Sequence, residues 1–170
     1  MDNSQEAKYI GYLSSPIGLL EIAGDGQFIT SIQFLNDAEP KQIDKPNDLI
    51  QDCIKQLDEY FGGNRKVFDL PLKPTGTDFQ YKVWDRISEV PFGMTSSYGL
   101  ISKLLGNFKL TRAVGLANGA NPIPIIIPCH RIIGSDGSLT GYAGGLDKKK
   151  WLLNHEQRYS KFSEGQLKLF

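Results

Sequence analysis

The stretch Ile123-Pro124-Ile125-Ile126-Ile127-Pro128-Cys129-His130-Arg131-Ile132-Ile133 constrains this chain more than any other. An apolar run this short falls well below the ~20 residues that cross a bilayer, so it is a buried strand or a core-lining loop. Pro128 removes a backbone donor and fixes φ, which stiffens the chain where Cys129 begins. A thiol at the end of a dry wall, followed at once by an imidazole and a guanidinium, is costly to keep for packing alone. Cys is also a common small core hydrophobe, and the stretch by itself leaves both readings open.

The 170 residues suffice for one domain or for two small ones, and 40% hydrophobic with 22% charged residues describes an ordinary globular protein. Met1-Asp2-Asn3-Ser4-Gln5-Glu6 lacks the basic and apolar regions of a signal peptide, which points to a cytoplasmic protein, or a nuclear one in a eukaryote. With Cys53 and Cys129 as the two cysteines, no disulfide framework is indicated and a reducing compartment is expected. Two cysteines and two histidines without C-x-x-C or H-x-x-x-H spacing carry no metal signature, so neither a metal nor a cofactor is expected. The net charge is zero but unevenly spread. Residues 1–74 hold 7 Lys+Arg against 12 Asp+Glu, a net −5; residues 75–156 hold 9 against 6, a net +3; residues 157–170 hold 3 against 1, a net +2. A polyanion would be drawn to the C-terminal part, though +3 is also the field of an ordinary solvated surface.

Three β-rich runs, Tyr9–Leu13, Gly18–Ile22 and Phe28–Phe34, are separated by turn residues and predict an antiparallel meander. A polar loop follows over Asn36–Pro46. Asn47 then caps a helix whose apolar residues Leu49, Ile50, Cys53, Ile54, Leu57, Tyr60 and Phe61 recur at three and four, a face suited to covering the sheet. Cys53 on that face is a core residue. Asn64 to Gly76 is extended and serves as a linker, which sets the domains at 1–75 and 76–170. Beyond it, Thr77 or Asp78 caps a helix from Phe79 to Glu89, Ser96 or Ser97 opens one that stops at Gly106-Asn107, and Thr111 caps another from Arg112 to about Gly119. Two short helices joined by a glycine-containing turn form the layout of a helix-turn-helix. A last amphipathic helix runs from Leu146 to about Arg158. The expected fold class is α+β: a small N-terminal antiparallel sheet with a covering helix, then a mainly helical, winged-helix-like domain.

The helix after Thr111 alternates small and apolar residues, Arg112-Ala113-Val114-Gly115-Leu116-Ala117-Asn118-Gly119. Each internal glycine costs about 1 kcal/mol relative to alanine. Ala113, Gly115 and Ala117 form a smooth ridge, suited equally to close approach by another surface or to tight helix packing inside the protein.

Taken together, Pro128-Cys129-His130-Arg131, Arg112-Ala113-Val114-Gly115, Asn121-Pro122, Gly141-Tyr142-Ala143-Gly144-Gly145 and Trp151-Leu152-Leu153-Asn154-His155-Glu156 resemble the O6-alkylguanine-DNA alkyltransferase family from about Phe79 to Glu156. The resemblance implies that Cys129 is the alkyl acceptor, and that His130 and Glu156 form a relay drawing off its proton through a water. By the same resemblance Asn121 is expected to brace the turn before the active-site strand, and Tyr98 to meet N3 of an extruded guanine. Arg112 is expected, on the same resemblance, to fill the gap left in the base stack. The resemblance likewise implies that Gly99, Asn107, Ala113, Gly115 and Ser135 contact DNA and that Tyr142, Ala143, Pro124 and Ile132 line the base pocket. The implied partner is double-stranded DNA containing O6-alkylguanine, bound through its minor groove by a monomer without membrane association. Ala143 stands where many relatives carry Ser, and the zinc ligands of some relatives' first domains have no counterpart.

The chemistry supports that assignment from its own side. Moving an alkyl group from an aryl-ether oxygen to sulfur is displacement at an sp³ carbon, needing a thiolate, alignment and help for the leaving base. An imidazole oriented by a carboxylate supplies the first, and a phenol supplies the last. A base inside a duplex is out of reach until it is flipped out. The thioether product has no route to hydrolysis, so each molecule acts once. Three other readings compete: a DNA-binding module without chemistry, against which Cys129 argues; a Cys-His hydrolase, for which neighbours on opposite sides of an extended chain are poorly placed; and a plain α+β domain with a buried cysteine, against which the density of motifs argues.

Overall fold

The structure, a computed structural model, describes residues 8–35 and 45–160. Met1 to Ala7, most of the loop expected over Asn36–Pro46, and the tail beyond Ser160 lie outside the described residues. The chain divides into two compact units, Met1–Thr75 and Gly76–Phe170.

In the first unit β1 (Tyr9–Ser15), β2 (Gly18–Gly24) and β3 (Ile29–Leu35) pair antiparallel in the order β1-β2-β3. The register sets Leu13 opposite Leu20 and Ile22 opposite Ile32. That alternation gives the sheet one apolar face, which α1 (Asp48–Phe61) covers. Asn47 caps α1 by accepting from the Ile50 N–H, and Ile50, Cys53, Leu57 and Tyr60 are wholly buried with Leu20, Ile22 and Ile29. Burial pushes the Cys53 thiol up to about 12, which makes it inert. The segment after α1 is tied back at both ends. Gln56 exchanges hydrogen bonds with the Asp69 backbone, and Ile29 bonds to Pro71 and Lys73.

The second unit begins with α2 (Asp78–Ser88), opened by a reciprocal cap between Thr77 and Gln80. Then come β4 (Ser96–Ser97), α3 (Tyr98–Leu104), α4 (Thr111–Gly119), β5 (Ile132–Ile133) and α5 (Leu146–Tyr159). Ser97 caps α3 through the Leu100 N–H. Thr111 is the first residue of α4 rather than its cap: the preceding 3₁₀ turn, Phe108–Leu110, is capped by Asn107, and Thr111 Oγ1 donates to the Phe108 carbonyl instead. α4 packs on α2 and α3 through Val114 and Ala117, and the Trp84 indole donates to the Ala117 carbonyl at 2.9 Å. β4 and β5 pair parallel over two residues, bringing the start of α3 beside the end of the isoleucine-rich stretch.

Candidate active site

The stretch from Asn121 to Arg131 folds as turns, the core-lining loop of the two expectations and not the buried strand. Asn121 is buried and braces the first of them, its Oδ1 accepting from Ile123 N at 2.9 Å and its Nδ2 donating to the Ile127 carbonyl at 2.8 Å. Ile127 N closes back on Ile123 O at 3.0 Å, and between them Ile125 is held at φ 74. A β-branched residue there carries ~1–3 kcal/mol of strain, which the surrounding turn must over-determine. Pro128 sits at φ −83, ψ 61, and the Cys129 N–H bonds to the Ile127 carbonyl at 2.8 Å, an inverse γ-turn. Cys129, His130 and Arg131 then form one 3₁₀ turn. The opposite-sides geometry of an extended chain therefore does not apply: a proline without an N–H cannot enter a ladder, so the backbone turns.

His130 is fully buried, and its Nε2 meets Glu156 Oε1 at 2.7 Å. Arg131 grips the same carboxylate from the other side, Nε to Oε2 and Nη2 to Oε1, both 2.9 Å, while its Nη1 donates to the Val90 carbonyl at 2.6 Å. The N–H of Gly93, at φ 79, adds a bond of 3.1 Å to Oε2. A side chain at residue 93 would be strained by that φ, and its Cβ would fall 2.5 Å from Ser160. Burial works to raise the Glu156 pKa, but the cationic and donor groups around it outweigh burial and hold the carboxyl well below the usual range. Arg131 neutralises this carboxylate permanently, so the imidazole need not. Burial keeps His130 below its ordinary pKa and therefore neutral. Nε2 then carries the hydrogen, and Nδ1 holds the lone pair. That Nδ1 is buried with no hydrogen-bond partner among the described residues.

Cys129 is 3% exposed, and burial pushes its thiol up to about 11, against the Asn121 side-chain amide, the Lys149 charge and nearby backbone N–H groups, which all favour the thiolate. Close by, a pocket of about 540 Å³ opens between α3, α4 and the loop before α5, lined by Tyr98, Arg112, Gly115, Leu116, Tyr142 and Ala143 among others. Tyr98 donates to the Thr140 carbonyl at 3.0 Å. Arg112 is exposed at the start of α4. Gly115 lies across the Tyr98 ring, where an added Cβ would make ordinary contact at 3.9 Å, and beside Gly119 an added Cβ would meet nothing. Internal packing therefore does not demand glycine at either position. Gly99 and Ser135 are neighbours, and Asn107 is exposed. Pro124 and Ile132 are buried and do not line this pocket. His155 stacks on Trp151 at 4.8 Å.

A family model described as 6-O-methylguanine DNA methyltransferase, DNA binding domain, matches residues 78–158, and one for the ribonuclease-like domain of the same proteins matches residues 8–74. This chain belongs to the 6-O-methylguanine DNA methyltransferase family. It is 46% identical over 154 residues to the methylated-DNA–protein-cysteine methyltransferase of Methanosarcina acetivorans, covering 87% of this chain and 97% of that protein. The Mycobacterium bovis protein of the same name is 45% identical over 148 residues, 85% and 90% of the two chains. The crystal structure of Mycobacterium tuberculosis O6-methylguanine methyltransferase superposes with a TM-score of 0.82 at 40% identity, covering 92% of this chain and 97% of that one. The structure of the M. tuberculosis OGT in complex with DNA gives 0.81 at 42% identity, covering 89% and 94%. The α+β fold class read from the sequence is that of these family members.

Sequence reasoning missed three residues at this alkyltransferase-family site. Arg131 stands in the motif with Cys129 and His130, but the sequence assigns it no role. Asn118 is buried, its Nδ2 donating to the Cys129 carbonyl at 3.3 Å. Lys149 is wholly buried although it sits in the run Lys148-Lys149-Lys150, which reads as solvated surface. One signal was available: residues 149, 152 and 156 fall on one helical face, the face that carries Leu152 and Glu156 inward.

Proposed function

We propose that this protein repairs alkylated DNA by direct reversal, transferring a methyl or other alkyl group from O6 of guanine to Sγ of Cys129, once per molecule. The single observation that carries this reading is the oriented, neutral His130: Nε2 fixed on Glu156 at 2.7 Å, and a buried Nδ1 lone pair left for a water that takes the Cys129 proton. A thiol near 11 stays protonated and inert until such a base withdraws its proton, which suits a protein with one use. Sulfur then attacks the alkyl carbon, the bond to O6 breaks with its electron pair going to the purine, and Tyr98 protonates N3 of the departing base.

The base is flipped out of a DNA duplex into the pocket between Tyr98 and the Tyr142–Ala143 loop, with Arg112 in the space it leaves. The α4 ridge of Ala113 and Gly115 lies along the minor groove, and Gly99, Asn107 and Ser135 hold the phosphate backbone. Open space beside Gly119, and mere ordinary contact beside Gly115, supports an outside surface as the reason for glycine at both positions. No helix among the described residues is long and apolar enough to cross a membrane. The protein acts as a monomer in the compartment that holds the DNA.

Incubation with a duplex carrying O6-methylguanine tests this reading by intact mass and peptide mapping. One methyl group on Cys129 per molecule is expected; label on Cys53, or many turnovers per molecule, would overturn it.

A further inference from the structure

Leu116 is 72% exposed, the most of any large apolar side chain among the described residues of the second unit. A lone exposed leucine is ordinary on a protein surface, so its place matters more than its exposure. Arg112, Gly115, Leu116 and Gly119 recur at three and four along the outward stripe of α4, while Val114, Ala117 and Asn118 are buried on the other side. Gly115 and Gly119 leave the backbone bare on both sides of Leu116, and a Cβ added at Gly119 would meet nothing. Leu116 is therefore a single apolar peg on a low surface. It stands one turn from Arg112 and on the wall of the pocket assigned above to the base. Helix propensity does not demand it, since alanine would serve α4 better.

We propose that Leu116 is a specificity-determining residue that reads the base pairs flanking the lesion, by packing its side chain on the floor of the minor groove. The inference rests on the reading above, in which α4 lies along that groove. Duplex DNA is the occupant because the peg is continuous with the pocket and with Arg112, within the residues matched by the family's DNA-binding-domain model. In the minor groove an A·T pair shows only the acceptors N3 and O2, whereas a G·C pair adds the exocyclic N2 amine of guanine. Leu116 offers that amine no acceptor and shields it from water, which leaves a donor unpaired. The amine also stands up from the groove floor, where the peg would meet it. Both effects favour lesions flanked by pairs without the amine. Apolar side chains set against base steps are a common device of minor-groove proteins.

The test measures second-order rate constants for methyl transfer from duplexes that differ only in the two pairs flanking O6-methylguanine. Inosine·C is G·C without the minor-groove amine, and 2,6-diaminopurine·T is A·T with it. The parent should react about fivefold or more faster with inosine·C flanks than with G·C, and with A·T than with diaminopurine·T. Leu116→Ala should lower both ratios, and Leu116→Gln, whose side-chain carbonyl can accept from the amine, should lower them too. Each ratio is taken within one protein, so a general loss of activity in a variant cancels. The amine also adds a hydrogen bond to its pair and stiffens the duplex, but that effect belongs to the DNA and persists in every variant. A parent indifferent to the amine (a measurement that needs no variant to fold), or ratios in either variant equal to the parent's, would overturn the role of Leu116. A parent whose Cys129 takes up iodoacetamide but accepts methyl from no duplex would overturn the alkyl-transfer reading itself.

Discussion

Arg131 and Glu156 meet in a two-pronged ion pair, Nε to Oε2 and Nη2 to Oε1 at 2.9 Å each, with neither side chain more than 7% exposed. The pair fixes the residue next to it. With a permanent cation already on Glu156, His130 is held in place by that carboxylate without being charged by it, and a neutral imidazole is what a general base requires. The structural and chemical roles of the turn are therefore joined through one carboxylate.

Removing Arg131 should be among the most damaging single changes. Arg131→Met strands a buried carboxylate, a loss of about 3–5 kcal/mol. It should also raise the His130 pKa, because the imidazole becomes the sole cation available to Glu156. Chemical denaturation and histidine titration by NMR check the two parts, and a loss under ~1 kcal/mol would show the pair to be solvated.

Stability should fall on the acid side. Glu156 is held well below its unfolded value of about 4.3, so the unfolded chain binds more protons as pH drops. Its contribution is whole above about pH 5 and is lost progressively below that. His130, depressed from about 6.5 by burial, adds a loss of the same sign that begins as pH falls through 6.5. Urea midpoints between pH 3 and 8 should rise with pH; a flat profile means neither group is perturbed in solution.

His130→Ala should slow alkyl transfer by ~10²-fold or more, as for a lost general base, while lesion-DNA binding persists. Glu156→Gln should slow it too, but with lost stability, since Arg131 and the Gly93 N–H share that carboxylate. Rates for His130→Ala equal to the parent's from pH 6 to 9 would remove the imidazole from the mechanism.

Arg112→Ala should impair repair of duplex DNA far more than reaction with free O6-benzylguanine, because an exposed side chain at the start of α4 supports flipping and not the displacement. DNA affinity should fall with salt, as phosphate contacts require. Equal losses on the two substrates would make Arg112 a part of the scaffold.

Alkylation should destabilise the protein that carries it. Cys129 is itself buried, in a stretch whose Ile123, Ile125 and Ile132 are wholly buried, and an added methyl should overpack this interior by ~1–3 kcal/mol. The modified form should melt lower and leave DNA faster, more so for benzyl than for methyl. Identical melting of benzylated and unmodified protein would reveal an interior loose enough to absorb the adduct.

Local pattern alone determined the meander, the Asn47 cap, the choice of Thr77 or Asp78 as the next one and the α3–α4 turn, because periodicity, capping and turn chemistry act within a few residues. Three things were decided only when the chain closed. The isoleucine run, apolar enough for a strand, became turns because Asn121 takes both of its local hydrogen bonds and Pro128 has no N–H to give a ladder. Arg131 and His130, adjacent in sequence, were given separate work by a carboxylate 25 residues on from Arg131. Lys149, one of three consecutive lysines, was drawn inward by the carbonyls of Ile132 and Thr140, acceptors that do not converge until α5 packs against the turn. A buried charge is selected by partners distant in sequence, and no window along the chain contains them.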